Sequence, residues 1–577
     1  MYSFFGKITT IDVTKRTHHE ESIPDSVYRT YLGGKGLGSY LLLKKNPPGV
    51  DPLSPDNTIV FATGPACGHT AWGANRYAAF TKSPLTNVFS ESYSGGRAFY
   101  QITKTGFDAI ILTGRSEEWV YIEITPYGVS FHNAEHLLGK DAFETETILE
   151  EQYKEKKAAV LTIGVAGENR VTYAYINNDH GRCLGRTGVG AVLGSKKVKA
   201  LVFWGDKEKT AADPDLLKQF QKDLLKAGKE HPGTQAYKQK GTSLVVDLTT
   251  KVDAFPARYW QEGTVPHKES INAAALHHYL DVKPKSCLYC FISCTREATV
   301  NSGRHKGLSL DGPEYETIDA FGGLNMVDDI REIAYLNDVC DKLGLDTVTA
   351  GNVTAFAVEA YKKGKIDFAI EYNDVDKIAE LLHLIAHRQG IGSMFAEGVR
   401  YAAKELGLED IAIHVKGLEP PGYDPRALNG MGLGYAVSDR GACHLRATFY
   451  KPELAGLIDP RDNNGKAELF LQYEDRLTIY DTLVLCRFFR DLIFWDELST
   501  LCKATMGLDL GEEDFREIAA SITDVIRKFN VQEGVTPRDD FLPAPFFSTP
   551  IGEEKLVLDR AKFRELVDDY YTLRGFK

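Results

Sequence analysis

Cys287, Cys290 and Cys294 lie together in CLYCFISC, and Cys486 stands far downstream. A C-x2-C-x3-C triple with one further thiolate supplies the four cysteines that a cubane iron–sulfur cluster takes. Zinc also accepts four thiolates, and spacing does not choose between the two. Cys486 is the candidate fourth ligand because of its setting. It ends the hexamer Asp481-Thr-Leu-Val-Leu-Cys486, which echoes Asp341-Lys-Leu-Gly-Leu-Asp346. Two acidic-headed copies of one pattern imply two similar ligands held in similar ways, one of them also reaching the cluster. An aspartate can accept hydrogen bonds from the amino and ring N–H groups of a pterin-like heterocycle. A redox centre beside a paired cofactor is the chemistry this set suits. Cys67, Cys183, Cys340, Cys443 and Cys502 share no such spacing and read as core thiols.

Further groups could assist. Arg182 and Arg186 stand four apart in the glycine-rich run GRCLGRTGVGAVLGSKK, where guanidinium forks and open backbone amides suit phosphate. The run does not match G-x4-G-K-[ST], and GGKGLG does not match G-x-G-x-x-G. Arg76, in GANRYAAF, is a weaker phosphate partner. Glu314 and Glu316 in GPEYET, with His444 in DRGACHLRA, offer carboxylates and an imidazole for proton transfer. His383 and His387 stand four apart and read as helix-surface residues rather than metal ligands.

The elements that must position these groups follow from pattern. Runs such as TIVFAT (58–63), DAIILT (108–113), VYIEIT (120–125), AVLTI (159–163) and VKALVFW (198–204) read as strands separated by glycine-dense turns at 33–38, 64–68, 94–96 and 181–194. After residue 206 the period becomes helical, notably over 207–229, 328–343, 375–389 and 512–529. KGLEPPGYDPR (416–426) interrupts it. The expected fold is α+β: a β-rich domain over 1–207 and two mostly helical domains over 208–416 and 417–577. The 577 residues carry a formal net charge of −12, which argues against a nucleic-acid partner. Nine cysteines in so long a chain do not form a secreted disulfide framework. The first residues lack the pattern of a signal peptide, and no run of about 18 apolar residues occurs. A cytoplasmic protein is expected.

In order and spacing, GANR, GRCLGRTGVGAVLGSKK, CLYCFISC, GPEYET, DKLGLD, DRGACHLRA and DTLVLC resemble the aldehyde ferredoxin oxidoreductase family of tungsten enzymes over essentially the whole chain. The resemblance implies a β-sheet domain binding a bis-pterin cofactor of tungsten or molybdenum, covered by two helical domains, with one [4Fe-4S] cluster adjacent. Cys287, Cys290, Cys294 and Cys486 match the cluster ligands. Arg76, Gly95, Arg182, Gly185 and Arg186 match the platform for the pterin phosphates, and backbone carbonyls at Tyr93 and Cys183 match those around a bridging Mg2+. Asp341, Leu345 and Asp346 match one pterin contact and Asp481, Leu485 and Cys486 the other, with Arg446 at a basic position. Glu316, His444 and Tyr423 match residues lining the metal site. The reaction implied is aldehyde plus water to carboxylate, with electrons passing through the cluster to ferredoxin or an iron–sulfur subunit. A tungsten subunit of an aromatic-ring-reducing complex and a non-catalytic iron–sulfur relay are the alternatives. Two departures stand out. Val484 replaces the glycine usual in the second hexamer. Tyr335 and Asp338 occupy the register where some relatives bridge a homodimer through iron, which puts such a bridge in doubt but not the dimer.

Overall fold

The apolar, β-branched runs of the first 203 residues form two six-stranded sheets in the computed structural model, which describes residues 1–576. The first has the order β2-β1-β6-β3-β4-β5: β1 (Lys7–Asp12), β2 (Thr17–Ser22), β3 (Ile59–Ala62), β4 (Tyr77–Lys82), β5 (Phe89–Ser94) and β6 (Ala109–Thr113). The second has the order β11-β10-β9-β12-β7-β8: β7 (Val120–Thr125), β8 (Gly128–Asn133), β9 (Ala159–Thr162), β10 (Ile176–Asn178), β11 (Arg182–Leu184) and β12 (Val198–Phe203). Among the described residues, only β1–β6 and β7–β12 pair in parallel. β3, β4 and β12 are buried at every residue, and the lysines this encloses, Lys82 and Lys199, pair with Glu533 and Glu168. Phe61, Ile110 and Leu112 from one sheet pack in a single core with Ile122, Leu161 and Leu201 from the other, and Val484 joins them from far along the chain.

The glycines at 34–38 do not form a turn. They open the helix Gly34–Lys45, and an added Cβ at Gly38 would lie 2.3 Å from the Phe80 ring. Here glycine serves close helix–strand packing rather than approach to a ligand.

The chain divides into two compact units. One comprises Met1–Gln235, Ser286–Ser293 and Asp475–Gly534, and holds both six-stranded sheets. The other comprises Ala236–Lys285, Cys294–Glu474 and the chain from Val535 onward. It is mainly helical, with a small antiparallel sheet that the sequence patterns did not announce: β13 (Leu280–Lys285), β14 (Thr295–Val300) and β15 (Ser309–Asp311). Its helices include Ile330–Leu343, which lies within the expected 328–343 segment and is capped by the Asp329 carboxylate, and the largely buried Thr347–Lys362. The architecture is α+β. No helix among the described residues is long and apolar enough to cross a membrane.

The β10–β11 turn carries left-handed backbone at Asp179 (φ 50°) and His180 (φ 47°). Beneath it, Glu146 accepts hydrogen bonds from Asn177 Nδ2 (2.6 Å) and the His180 N–H (3.0 Å). Burial, then the neighbouring Glu150, push the Glu146 carboxyl up to about 8 from an ordinary 4.5. The folded chain therefore keeps a proton that the unfolded chain has already released, so stability falls as pH rises through that window and levels off above it. Glu146→Gln keeps an acceptor for both donors and should remove the slope. Urea unfolding at pH 5 and pH 8 is expected to show the parent losing a few kcal/mol relative to the variant, since each tenfold difference in proton affinity between folded and unfolded chain is worth about 1.4 kcal/mol.

Candidate active site and cluster site

In the sheet-bearing unit, the GANR segment assembles the thiols. The Gly73 N–H donates to the Tyr289 carbonyl (3.1 Å), while the Gly73 carbonyl accepts from the Cys486 N–H (2.8 Å). One residue thus ties the cysteine loop to the second hexamer, from a left-handed conformation (φ 84°) that favours glycine. Asn75 Nδ2 donates to the Leu288 carbonyl (3.1 Å), and the Leu288 N–H donates to the Gly96 carbonyl (3.1 Å). Arg76 Nη2 donates to Cys486 Sγ at 3.3 Å. Gly95 keeps the space beside the loop open, since a Cβ there would lie 2.9 Å from Cys287 Sγ. Burial, Cys486 and Cys287 push the Cys290 thiol up to about 12.

This donor set fits an iron–sulfur cluster. A single zinc ion with bonds of about 2.3 Å to three thiolates would hold their sulfurs roughly 3.8 Å apart. Cys287, Cys290 and Cys486 do not come together within 4.8 Å; among the described residues, the one trio of metal-ligating side chains that does is Glu146, Glu150 and His180. Three thiols with a guanidinium on one sulfur are donors that would suit an anionic iron–sulfur group. Cys294, beside Thr295, opens the next segment of the helical unit.

The two hexamers adopt one backbone design. Helix Ile330–Leu343 stops at Gly344 in the left-handed region (φ 84°), and the Leu345 N–H returns to the Cys340 carbonyl (2.9 Å). Helix Lys466–Leu483 stops at Val484 (φ 53°), and the Leu485 N–H returns to the Tyr480 carbonyl (2.8 Å). Each is a Schellman-type stop, for which glycine is the usual residue. Val484 accepts a left-handed conformation costing roughly 1–2 kcal/mol because its methyl groups fill the room beside Gly34 and Gly64. Val484→Ala keeps the strained backbone and loses buried carbon, whereas Val484→Gly loses the carbon and the strain together. The glycine variant is therefore expected to be the more stable of the two, the reverse of the usual order, by urea denaturation.

The hexamer carboxylates have protein partners. Asp346 caps helix Thr347–Lys362 through the Val348 and Thr349 N–H groups, Asp341 accepts from Asn337 Nδ2 (2.6 Å), and Asp481 pairs with the Arg487 guanidinium. Arg446 is buried in the helical unit. Arg182, half-buried Cys183 and Gly185 lie on or just after β11, and the Arg186 guanidinium is buried. β11 packs against β5, which carries Tyr93. The Tyr93 hydroxyl donates to Glu91 (2.6 Å), whose other oxygen pairs with Lys35. The buried Arg186 and half-buried Arg182 on a glycine-rich hairpin offer the guanidinium chemistry a cofactor phosphate would need.

The helical unit brings together the proton-transfer candidates. The Gly422 N–H donates to Glu316 Oε2 (2.9 Å), and Glu316 Oε1 lies 3.4 Å from His444 Nε2. The Tyr423 ring stacks on Tyr450 (4.1 Å) and lies 5.8 Å from His444. The Tyr315 hydroxyl donates to the Gly422 carbonyl, fixing that residue from its other side. Glu314 instead accepts from the Thr242 hydroxyl.

Two neighbours escaped the sequence reading. Asp319, one turn beyond Glu316 where the chain winds as a π-helix (Asp319–Gly323), is buried with Oδ1 unpartnered. Burial, then Glu316 and Asp424, raise its carboxyl well above the ordinary carboxylate range. The i,i+3 spacing from Glu316 was the available signal. Cys443 is buried, as a core thiol should be, but its sulfur also accepts from Arg440 Nε (3.3 Å), Arg440 Nη2 (2.9 Å) and the Leu445 N–H (3.3 Å), bracing the residue next to His444. Cys183 is half-buried in an edge hairpin strand, not in the core.

A platform of sheets, a thiol loop tied to a distant thiol and a carboxylate–imidazole pair define a redox enzyme. The family model of the N-terminal domain of aldehyde ferredoxin oxidoreductase matches residues 8–205, and that of its domains 2 and 3 matches 219–577. The chain is 34% identical to a tungsten-containing aldehyde ferredoxin oxidoreductase of Pyrococcus furiosus, over 100% of this chain and 97% of that one. It is 30% identical to the WOR-like subunit of an aliphatic sulfonate oxidoreductase from the same organism, over 100% and 95%. The active-site complex BamBC of benzoyl coenzyme A reductase, solved with 1,5-dienoyl-CoA, shares the fold at TM-score 0.86 and 24% identity, over 100% of this chain and 95% of that one. The chain belongs to the aldehyde ferredoxin oxidoreductase family and is an oxidoreductase of that type.

Proposed function

We propose that the chain oxidises an aldehyde with water to the carboxylate and passes the two electrons singly to ferredoxin or a similar iron–sulfur carrier. A tungsten bis-pterin would be held by Arg76, Gly95, Arg182, Gly185, Arg186 and Arg446 and by the two hexamers, with Mg2+ at the Tyr93 and Cys183 carbonyls. Cys287, Cys290, Cys294 and Cys486 would hold a [4Fe-4S] cluster. When bound, the tungsten centre supplies the acceptor for the two electrons released from the aldehyde carbon. The observation that carries the reading is the tie of Cys486 to the loop of Cys287 and Cys290 through Gly73, with Arg76 on the Cys486 sulfur.

The chain's own residues manage protons and orientation. Glu316 is the base that takes a proton as water adds to the carbonyl carbon, since one oxygen is fixed by the Gly422 N–H and the other faces His444. His444 holds the next proton, and Tyr423, clamped on Tyr450, orients the carbonyl oxygen. Burial and the Glu316 charge both raise the Asp319 carboxyl, which disfavours a second negative charge beside the base. The same reading places the enzyme in the cytoplasm.

The test is elemental analysis of anaerobically purified protein, with viologen reduction by a panel of aldehydes and an alkanesulfonate. Tungsten with about four irons per chain and aldehyde-dependent dye reduction is the expected result. Zinc alone without turnover overturns it, and turnover of the sulfonate alone replaces the substrate.

A further inference from the structure

We propose that one flank of the helix Pro214–Glu230, bearing Lys218, Lys222 and Lys229, together with the rings of Trp72 and Phe291, docks a small acidic iron–sulfur electron carrier. This rests on the redox reading above and gives its partner a place on the surface. Phe291 follows Cys290 directly and is half-exposed, as is Trp72, whose ring meets it edge-on at 5.5 Å. The helix reaches this loop because Gly228 has no side chain: a Cβ there would lie 2.2 Å from the Phe291 ring. Two turns earlier on the same line, Gln221 Nε2 donates to the Thr70 hydroxyl (2.8 Å).

At about 100° per residue, Lys218, Lys222 and Lys229 fall within an arc of roughly 40° beside the Gln221–Gly228 line. The buried Leu217, Phe220 and Leu224 lie on the opposite side of that line. All three lysines are exposed, with only Asp215 of opposite sign on their flank, while Asp223 and Glu230 project away. Such a surface runs against a chain of formal net charge −12. An anionic carrier would be repelled elsewhere and steered here, onto an aromatic centre with a cationic rim. The other side of the loop is less suited. There Lys104 is engaged by Glu208 (2.9 Å), and Arg97 stands beside Asp179 and Glu150.

Each encounter would oxidise the cluster by one electron and reduce one carrier, so that RCHO + H2O + 2 carriers (oxidised) gives RCOO− + 3 H+ + 2 carriers (reduced). The experiment compares the parent with the Lys218→Glu/Lys222→Glu/Lys229→Glu variant, using a purified small acidic ferredoxin and the small cation benzyl viologen. Carrier binding by calorimetry and carrier-linked kcat/KM are both expected to weaken about tenfold in the variant, and in the parent between low and high salt. Aldehyde-dependent viologen reduction and the melting temperature should stay at parent values. Unchanged binding and carrier kinetics in the variant overturn the proposal, as does a loss seen instead in Arg97→Glu/Lys104→Glu. Calorimetry keeps the test independent of turnover: carrier binding that responds to the lysines without any aldehyde activity would sink the proposed reaction and leave the surface standing.

Discussion

Glu316→Gln should lower kcat for aldehyde-dependent dye reduction by about 10²–10⁴-fold, the usual worth of a positioned base, while tungsten and iron contents stay at parent values. The glutamine oxygen can still accept the Gly422 N–H, so the loop need not move. What disappears is a group able to take a proton. The effect should also separate from that of its neighbours. Asp319→Asn keeps the shape of a side chain whose anionic form burial and Glu316 already disfavour, and is expected to cost far less in kcat. Turnover of Glu316→Gln within a few-fold of the parent would remove Glu316 from the chemistry and leave His444 as the remaining base.

The second large effect concerns Cys486. Cys486→Ser should lower iron from about four per chain to below about one and abolish dye reduction, because a serine hydroxyl at neutral pH offers no soft anion to the cluster. The matching control is Cys502→Ser, at a buried thiol with no part in the set, where iron content should be unchanged. Arg76 gives the substitution a further signature. With that sulfur gone, its guanidinium loses a hydrogen-bond acceptor that lies 3.3 Å away in a part-buried setting. Retention of iron in Cys486→Ser would mean that the cysteine loop finds its fourth ligand elsewhere.

Much of this was legible in the residues. The strand runs at 59–62, 109–113 and 198–203 were found because apolar, β-branched segments bounded by glycine admit few other structures. The likeness of the two hexamers held at the level of backbone, since the helix stop is a local motif that a few residues encode. The GGKGLG run misled: glycine signals tolerance of close approach without saying to what, and here the neighbour is Phe80.

By itself the sequence determined which side chains could do redox and proton chemistry, because thiolates, carboxylates and imidazoles are properties of residue type and short spacing. Only the tertiary structure decided that Gly73 ties Tyr289 to Cys486, that Asp319 is buried beside Glu316, and that Val484 bears a left-handed backbone in exchange for filling a core. Those outcomes depend on packing between segments up to hundreds of residues apart. Their energies are set by burial and neighbouring charge, neither of which is encoded in any short stretch of chain.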